Sequence, residues 1–330
     1  MQPLPLFDDD EADADAVRPA PPHAEWLALA AALQARWGGR CHLGTSSWHF
    51  TGWAGLVWDR PRAEALLSRQ GLAAYARHPL LRTVSLDRAF YRVLAAAEYA
   101  QLARQVPADF RFVVKAPAVL TDAVARESGS GRPQADNPHF LDPALALDGC
   151  VQPALDGLGD RLGVIVFQLS PLPARWLGRS EPLLPALERL WQAVMPALQG
   201  RALAALEVRD AALLAPSLAA QLKANGVRAV LGLHSRLPPI DAQLPMQRAT
   251  WPGDLVCRWN LQRGQRYAQA RDAWAPFDRL VAPDPGTRHE LARVARATLD
   301  AGHRVFVTIN NKAEGSAPRS VIELARALLA

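Results

Sequence analysis

Two residues apart on one short apolar stretch, Glu207 and Arg209 stand in LEVRD (206–210), with Leu206 and Val208 between and before them. In an extended strand, residues i and i+2 share a face. If the aliphatic pair faces outward, the carboxylate and the guanidinium both point inward. The same spacing recurs in Ser85/Asp87 and Thr308/Asn310. Further polar groups end apolar runs elsewhere: Lys115 after FRFVV, Gln168 after IVF, Arg258 before Trp259 and Asn260, and Asn310, Asn311 and Lys312 after VFVTI. A buried Glu–Arg pair needs further hydrogen bonds to be tolerated, which predicts an internal polar network.

Lys115, Arg209, Arg258 and Lys312 outweigh Glu207 and Asp87, and fixed cations with amides fit an anionic or polyhydroxyl ligand. In that arrangement Glu207 and Lys115 are the candidate catalytic groups, as acid/base and as electrostatic or nucleophilic amine. Arg209, Arg258, Gln168, Asn310, Asn311, Lys312 and Asp87 are candidate binding residues, with Tyr91 and Trp48 as candidate stacking faces. The chemistry this fits is that of a metal-independent hydrolase or lyase acting on a small anionic or phosphorylated substrate. The alternative is a nucleotide or nucleic-acid binding module without turnover. No cofactor and no metal is expected: His42, His49, His234 and His303 are scattered without HxH or HExxH spacing, leaving only a meeting of His49 and His234 at the rim. No GxSxG occurs either.

The elements that must position these groups alternate. Strand-like runs are expected at 41–46, 82–87, 110–115, 163–168, 203–208, 228–233, 254–259 and 304–309. Helical periods fall at 62–77, 97–105, 143–158, 181–197, 211–225 and 287–301, and a closing helix at 318–329. Alternation of this kind over about 290 residues predicts an α/β fold, a TIM-like (β/α)8 barrel of parallel strands. One βα unit is irregular: residues 234–252 are Pro-rich and show no clear helix. In a barrel the polar strand ends converge on one C-terminal rim, so residues from distant parts of the chain would share one mouth. Asp210 is the expected cap of the 211–225 helix, and Gly226 and Gly302 are expected helix stops. Gly315 would let the chain turn into the last helix, whose N-terminus near Ser316 would add anion-favouring N–H groups.

Residues 1–24 read as a disordered tail, with Asp8, Asp9, Asp10, Glu11, Asp13 and Asp15 followed by Pro19, Pro21 and Pro22. Residues 25–40 read as an N-terminal helix ended by Gly38 and Gly39, and 41–330 as one barrel domain. The chain has 330 residues, half of them hydrophobic, with 37 Lys and Arg against 32 Asp and Glu. No Arg/Lys cluster with interleaved aromatics appears, so nucleic acid is not the favoured partner. Three separated cysteines exclude a disulfide framework and fit a cytoplasmic location. No apolar run approaches a membrane span, and no signal peptide is visible.

Six stretches in order, GTSSWHFTGWAG (44–55), RAFYR (88–92), FRFVVKAP (110–117), IVFQLSP (165–171), LEVRD (206–210) and INNKAEGSAP (309–318), resemble the YecE-like family, domain of unknown function 72. The resemblance implies a TIM-barrel-like fold and no established activity. Within it, Glu207, Arg209, Lys115, Gln168 and Arg258 match the family pattern. Ser85 and Asp87 stand where many members carry Glu and Asn, and Asp122 where many carry His. Arg258–Leu261 (RWNL) replaces a frequent Arg–Leu–His–Gly, which with the NNKAEG ending marks a subgroup.

Overall fold

The computed structural model describes residues 16–126, 132–177 and 182–330. Eight parallel strands close into a barrel: β1 (Cys41–Thr45), β2 (Thr83–Leu86), β3 (Arg111–Lys115), β6 (Leu162–Gln168), β7 (Leu203–Glu207), β8 (Arg228–Leu233), β9 (Leu255–Trp259) and β10 (Val305–Ile309). Neighbours follow chain order, and β10 closes on β1. Seven lie within expected runs, and β6 starts one residue before its own. Outside the barrel, β4 (Val124–Arg126) and β5 (Pro133–Asp136) form an antiparallel pair that the alternation did not reveal.

Period two divides each strand. Outward residues such as Leu43, Val84, Val114, Phe167, Leu206, Leu231, Cys257 and Val307 join the large core beneath the helices. Inward residues stack in layers. Near the strand starts His42 lies parallel to Phe306, with ring centroids 4.6 Å apart, and Arg304 holds Asp254 through Nη2 at 2.8 Å. Val113, Val164, Val166, Ala205, Val230, Val256 and Phe306 fill the middle. The layer at the strand ends is polar, and it includes Ser85, Lys115, Gln168, Glu207, Arg258 and Thr308.

Closure at the β1–β2 seam depends on close backbone approach. Only Gly44 and Thr45 pair there, and a Cβ on Gly44 would sit 1.8 Å from Thr83 O. The Tyr75 hydroxyl bridges the seam, donating to Thr83 O at 2.9 Å and accepting from Thr45 N at 3.1 Å.

Several expectations are corrected. The 234–252 segment does contain a helix, Ile240–Ala249, with Pro245 inside it. Proline removes one intrahelical hydrogen bond. Tertiary contacts outweigh that loss: Ile240 and Met246 are buried, and the Gln243 amide both donates to Gly232 O at 2.9 Å and accepts from Gly232 N at 3.2 Å. A further helix, Tyr267–Trp274, lies between β9 and β10, where no periodicity announced one. Asp210 caps no helix. Its Oδ2 accepts from Leu172 N at 2.8 Å, and the helix expected from 211 starts at Pro216 after a short turn. Gly226 and Gly302 have φ of 68° and 87°, the left-handed stops expected of them. The N-terminal helix spans Ala24–Trp37 and ends at Gly38, φ 62°. Of the expected tail, residues 1–15 lie outside the described residues. The part from 16 onward is tied down, with Ala20 N donating to Val57 O and Asp59 N to Arg18 O.

Gly44→Ala tests the seam: the added methyl must displace backbone, so unfolding free energy should fall by roughly 3 kcal/mol in urea titration. A neutral effect would mean that the β1–β2 gap opens freely.

Candidate functional site at the barrel mouth

The register brings the polar strand ends level. Gln168 lies beside Glu207 on β6 and β7, and Thr308 lies beside Arg258 on β10 and β9. Arg258 crosses the barrel. Its Nη1 donates to Glu207 Oε2 at 2.6 Å and to Gln168 Oε1 at 3.3 Å, while its Nη2 reaches Asp87 Oδ1 at 2.9 Å. Arg209 Nη2 stands 2.8 Å from both Glu207 Oε1 and Gln168 Oε1. Asn260 Nδ2 donates to Glu207 Oε1 at 3.1 Å, and Ser85 Oγ to Asp87 Oδ1 at 2.7 Å. Five strands, β2, β6, β7, β9 and the residues just beyond them, together with β3 through Lys115, thus meet in one charged layer. Glu207 is 0% exposed and Arg258 1%.

The electrostatics separate acceptors from donors. Burial alone would raise the Glu207 carboxyl, but Arg209, Arg258 and Lys115 oppose it and hold it below the usual carboxylate range. It is an anion at neutral pH, with both oxygens accepting. Lys115 is lowered to about 8: burial is the main cause, Asp87 and Glu207 oppose it, and Arg258 and Arg209 add to it. Lys312 is also lowered to about 8, again by burial, with Asp87 opposing. Among the described residues neither ammonium has a hydrogen-bond acceptor. Lys115 Nζ sits 3.4 Å above the centre of the Phe90 ring, and Lys312 Nζ 4.4 Å above that of Tyr267. The Asp87 charge acts on both lysines.

The expected residues divide accordingly. Asp87, Lys115, Gln168, Glu207, Arg209 and Arg258 are brought together, and Lys312 is coupled to them only through the charge of Asp87. Asn310 pins the rim: its Nδ2 donates to Ser46 Oγ at 2.7 Å, and its Oδ1 accepts from Lys312 N at 3.0 Å. Asn311 turns the other way. Its Oδ1 accepts from Ala317 N at 2.8 Å and Trp53 Nε1 at 3.3 Å, so it caps the last helix and takes an N–H that the sequence offered to an anion. Gly315, φ 117°, permits that turn; a Cβ there would lie 2.5 Å from Val281 N. Trp48 is buried outside the layer, its Nε1 donating to Leu67 O at 3.2 Å under the Arg88 guanidinium. Tyr91, in contrast, is 83% exposed.

Sequence reasoning left out Asn260, Phe90 and Tyr267 from the site. Asn260 continues the inward parity of Arg258 and was legible. Tyr267 lies on the unannounced helix and carried no signal.

His49 pairs with Glu64 at 3.1 Å, and His234 Nδ1 accepts from Arg236 N at 3.2 Å. No group of three His, Cys, Asp or Glu among the described residues is placed to hold a metal ion. Two cavities of about 340 and 350 Å³ lie at the other end of the barrel, one lined by Arg228, Trp251 and Asp254, the other by His42, Arg82 and Asp109. There Arg228 donates to Asp254 O at 2.8 Å and Arg82 pairs with Asp109. The buried lysines, Lys115 and Lys312, are at the mouth instead. No helix is long and apolar enough to cross a membrane among the described residues.

Fold and layer define a parallel (β/α)8 barrel with a charged, hydrogen-bonded plug at its C-terminal mouth. Residues 42–330 match the family described as Protein of unknown function DUF72, and the chain belongs to that family. A solved DUF72 family protein from Enterococcus faecalis V583 shares the fold at 17% identity, TM-score 0.59, covering 87% of this chain and 95% of that one. Another, from Thermotoga maritima MSB8, does so at 18% identity, TM-score 0.54, covering 87% and 98%. None of the curated proteins compared matches this chain.

Replacing Arg258 by Ala strands Glu207 and Asp87 together. Urea unfolding should show a loss of roughly 3–5 kcal/mol. Combining it with Glu207→Gln should cost less than the two separate losses added, because the buried charge is then gone.

Proposed function

We propose that the mouth binds a small anionic ligand, a phosphorylated or carboxylated metabolite, held between Lys115 and Lys312. The observation that carries this reading is the pair of buried ammonium groups without acceptors among the described residues, both within the electrostatic influence of Asp87. Four basic groups (Lys115, Arg209, Arg258 and Lys312) act here against two carboxylates (Asp87 and Glu207), so a bound anion would balance the layer. The arginines are bound to Glu207 and form a rigid floor, with Arg209 Nη1 and Arg258 Nε left without a partner among the described residues, and the lysines are free to change partner. In this reading Glu207 exchanges no proton. It is a fixed anion that aims Arg209 and Arg258, and Lys115 is the group with chemistry to offer, as acid, base or amine. A metal-independent lyase or hydrolase fits that assignment. The motif order and the INNKAEGSAP ending support placing the chain in the YecE-like part of the family, with residues 41–330 as its working unit, and the three free cysteines fit a cytoplasmic location. A nucleic-acid ligand is the second reading, favoured by Tyr91 and Tyr267 standing exposed.

Inorganic phosphate and phosphorylated metabolites should raise the melting temperature at pH 7, and the effect should fade as pH rises through about 8, where both lysines lose their protons. Lys115→Met or Lys312→Met should abolish it. Stabilisation confined to oligonucleotides, and falling steeply with salt, would favour the second reading; no response to any anion would overturn the first.

The unliganded protein gives an independent check. Both lysines are less basic folded than at their ordinary 10.5, so between about 8 and 10.5 the unfolded chain binds more protons and stability rises with pH. Below pH 8 their burial is a constant cost. Lys115→Met should therefore be more stable than the parent at pH 7 by roughly 1–3 kcal/mol, with the gain disappearing above pH 10.5. Urea titration across that pH range measures it.

A further inference from the structure

We propose that Lys115 is a nucleophilic amine that forms a Schiff base with a small anionic carbonyl compound, a 2-oxo acid or a phosphorylated aldehyde or ketone. The proposal rests on the anion-binding reading of the mouth and adds a reaction to it.

Three observations carry it. First, Lys115 is the last residue of β3, fixed by a strand at the inner wall of the barrel, 9% exposed and without a hydrogen-bond acceptor among the described residues. A lysine that serves only as a structural charge is normally paired when this buried. Burial favours the neutral amine: opposed by Asp87 and Glu207 and aided by Arg258 and Arg209, it brings Lys115 to about 8, so an appreciable fraction carries a lone pair near neutral pH. Second, a different cation is available for the ligand's anionic group. Lys312 comes from the turn after β10, over Tyr267, and shares Asp87 as its electrostatic neighbour. One ammonium can hold the carboxylate or phosphate while the other amine meets the carbonyl. Third, Asp87 is placed as a proton carrier. Its Oδ1 is occupied by Ser85 Oγ and Arg258 Nη2, its Oδ2 accepts no hydrogen bond among the described residues, and its side chain is 34% exposed. Glu207, by contrast, has both oxygens taken.

The step balances without an oxidant or reductant. The Lys115 Nζ lone pair attacks the carbonyl carbon, the N–C bond forms, and the C=O π pair moves to oxygen, which takes up from solvent the proton that the Lys115 ammonium released on becoming the free amine. Asp87 accepts a proton from nitrogen and returns one to the carbinolamine hydroxyl. Water leaves, and the nitrogen lone pair closes the C=N bond. The resulting iminium is an electron sink beside a wall of guanidinium charge.

The chain has only three lysines, Lys115, Lys223 and Lys312, and Lys223 lies exposed on the helix Pro216–Ala224. It is a built-in control for non-specific reaction. The full-length protein is incubated with glyoxylate, pyruvate or glyceraldehyde 3-phosphate, reduced with cyanoborohydride, and mapped by peptide mass spectrometry. The expected result is a reduced adduct on Lys115, formed faster as pH rises from 6 to 8, and lost in Lys115→Met. The carboxylate and phosphate compounds distinguish the two ligand sources. An adduct on Lys223, Lys312 or the α-amine only, or none at all, overturns the proposal. Because the mapping uses the parent protein, a poorly folded variant does not obscure it. Phosphate-induced stabilisation measured on the same sample separates the two readings: stabilisation without an adduct leaves anion binding standing and removes the Schiff base, and the absence of both removes both.

Discussion

A carboxylate with no exposure to water must have its charge answered inside the protein, and Glu207 sets that demand for the whole mouth. Arg258, Arg209 and Asn260 answer it. Arg258 can do so only if β9 stands across from β7, and its second nitrogen then ties in Asp87 from β2. Gln168 accepts from both arginines and fixes their planes. One buried anion thus recruits side chains separated by up to 171 positions in the chain. The barrel closes over the layer because the middle of its interior is apolar and its outer wall packs on helices.

The same layer explains why two lysines remain without acceptors among the described residues. The carboxylates are already committed to arginines, whose planar, forked donors suit them better than an ammonium does. Lys115 and Lys312 take the faces of Phe90 and Tyr267 instead, which cushion a cation without neutralising it. Burial without an acceptor lowers their basicity. It is a state that a polar ligand would relieve, and it contrasts with the opposite end of the barrel, where Arg304 and Asp254 are joined by two bonds. Pocket volume alone would direct attention to that other end. Unanswered charge directs it to the mouth.

Alternation of apolar runs and helical periods determined the barrel, its strands and the sense in which they run. Parity along each strand determined that Glu207, Arg209, Lys115, Gln168 and Arg258 face inward, because a strand has a period of two and its outward residues had to be the aliphatic ones. These are local properties, and they are written in consecutive residues. Tertiary structure alone decided the rest. It formed a helix through Pro245 because Gln243 found Gly232. It turned Asn311 away from the mouth toward Ala317, and moved Asp210 from capping its own helix to holding Leu172 N. It placed Trp48 in the core and Tyr267 beneath Lys312. A side chain with several possible partners chooses among them by distance, and distances between remote segments exist only once the barrel has closed.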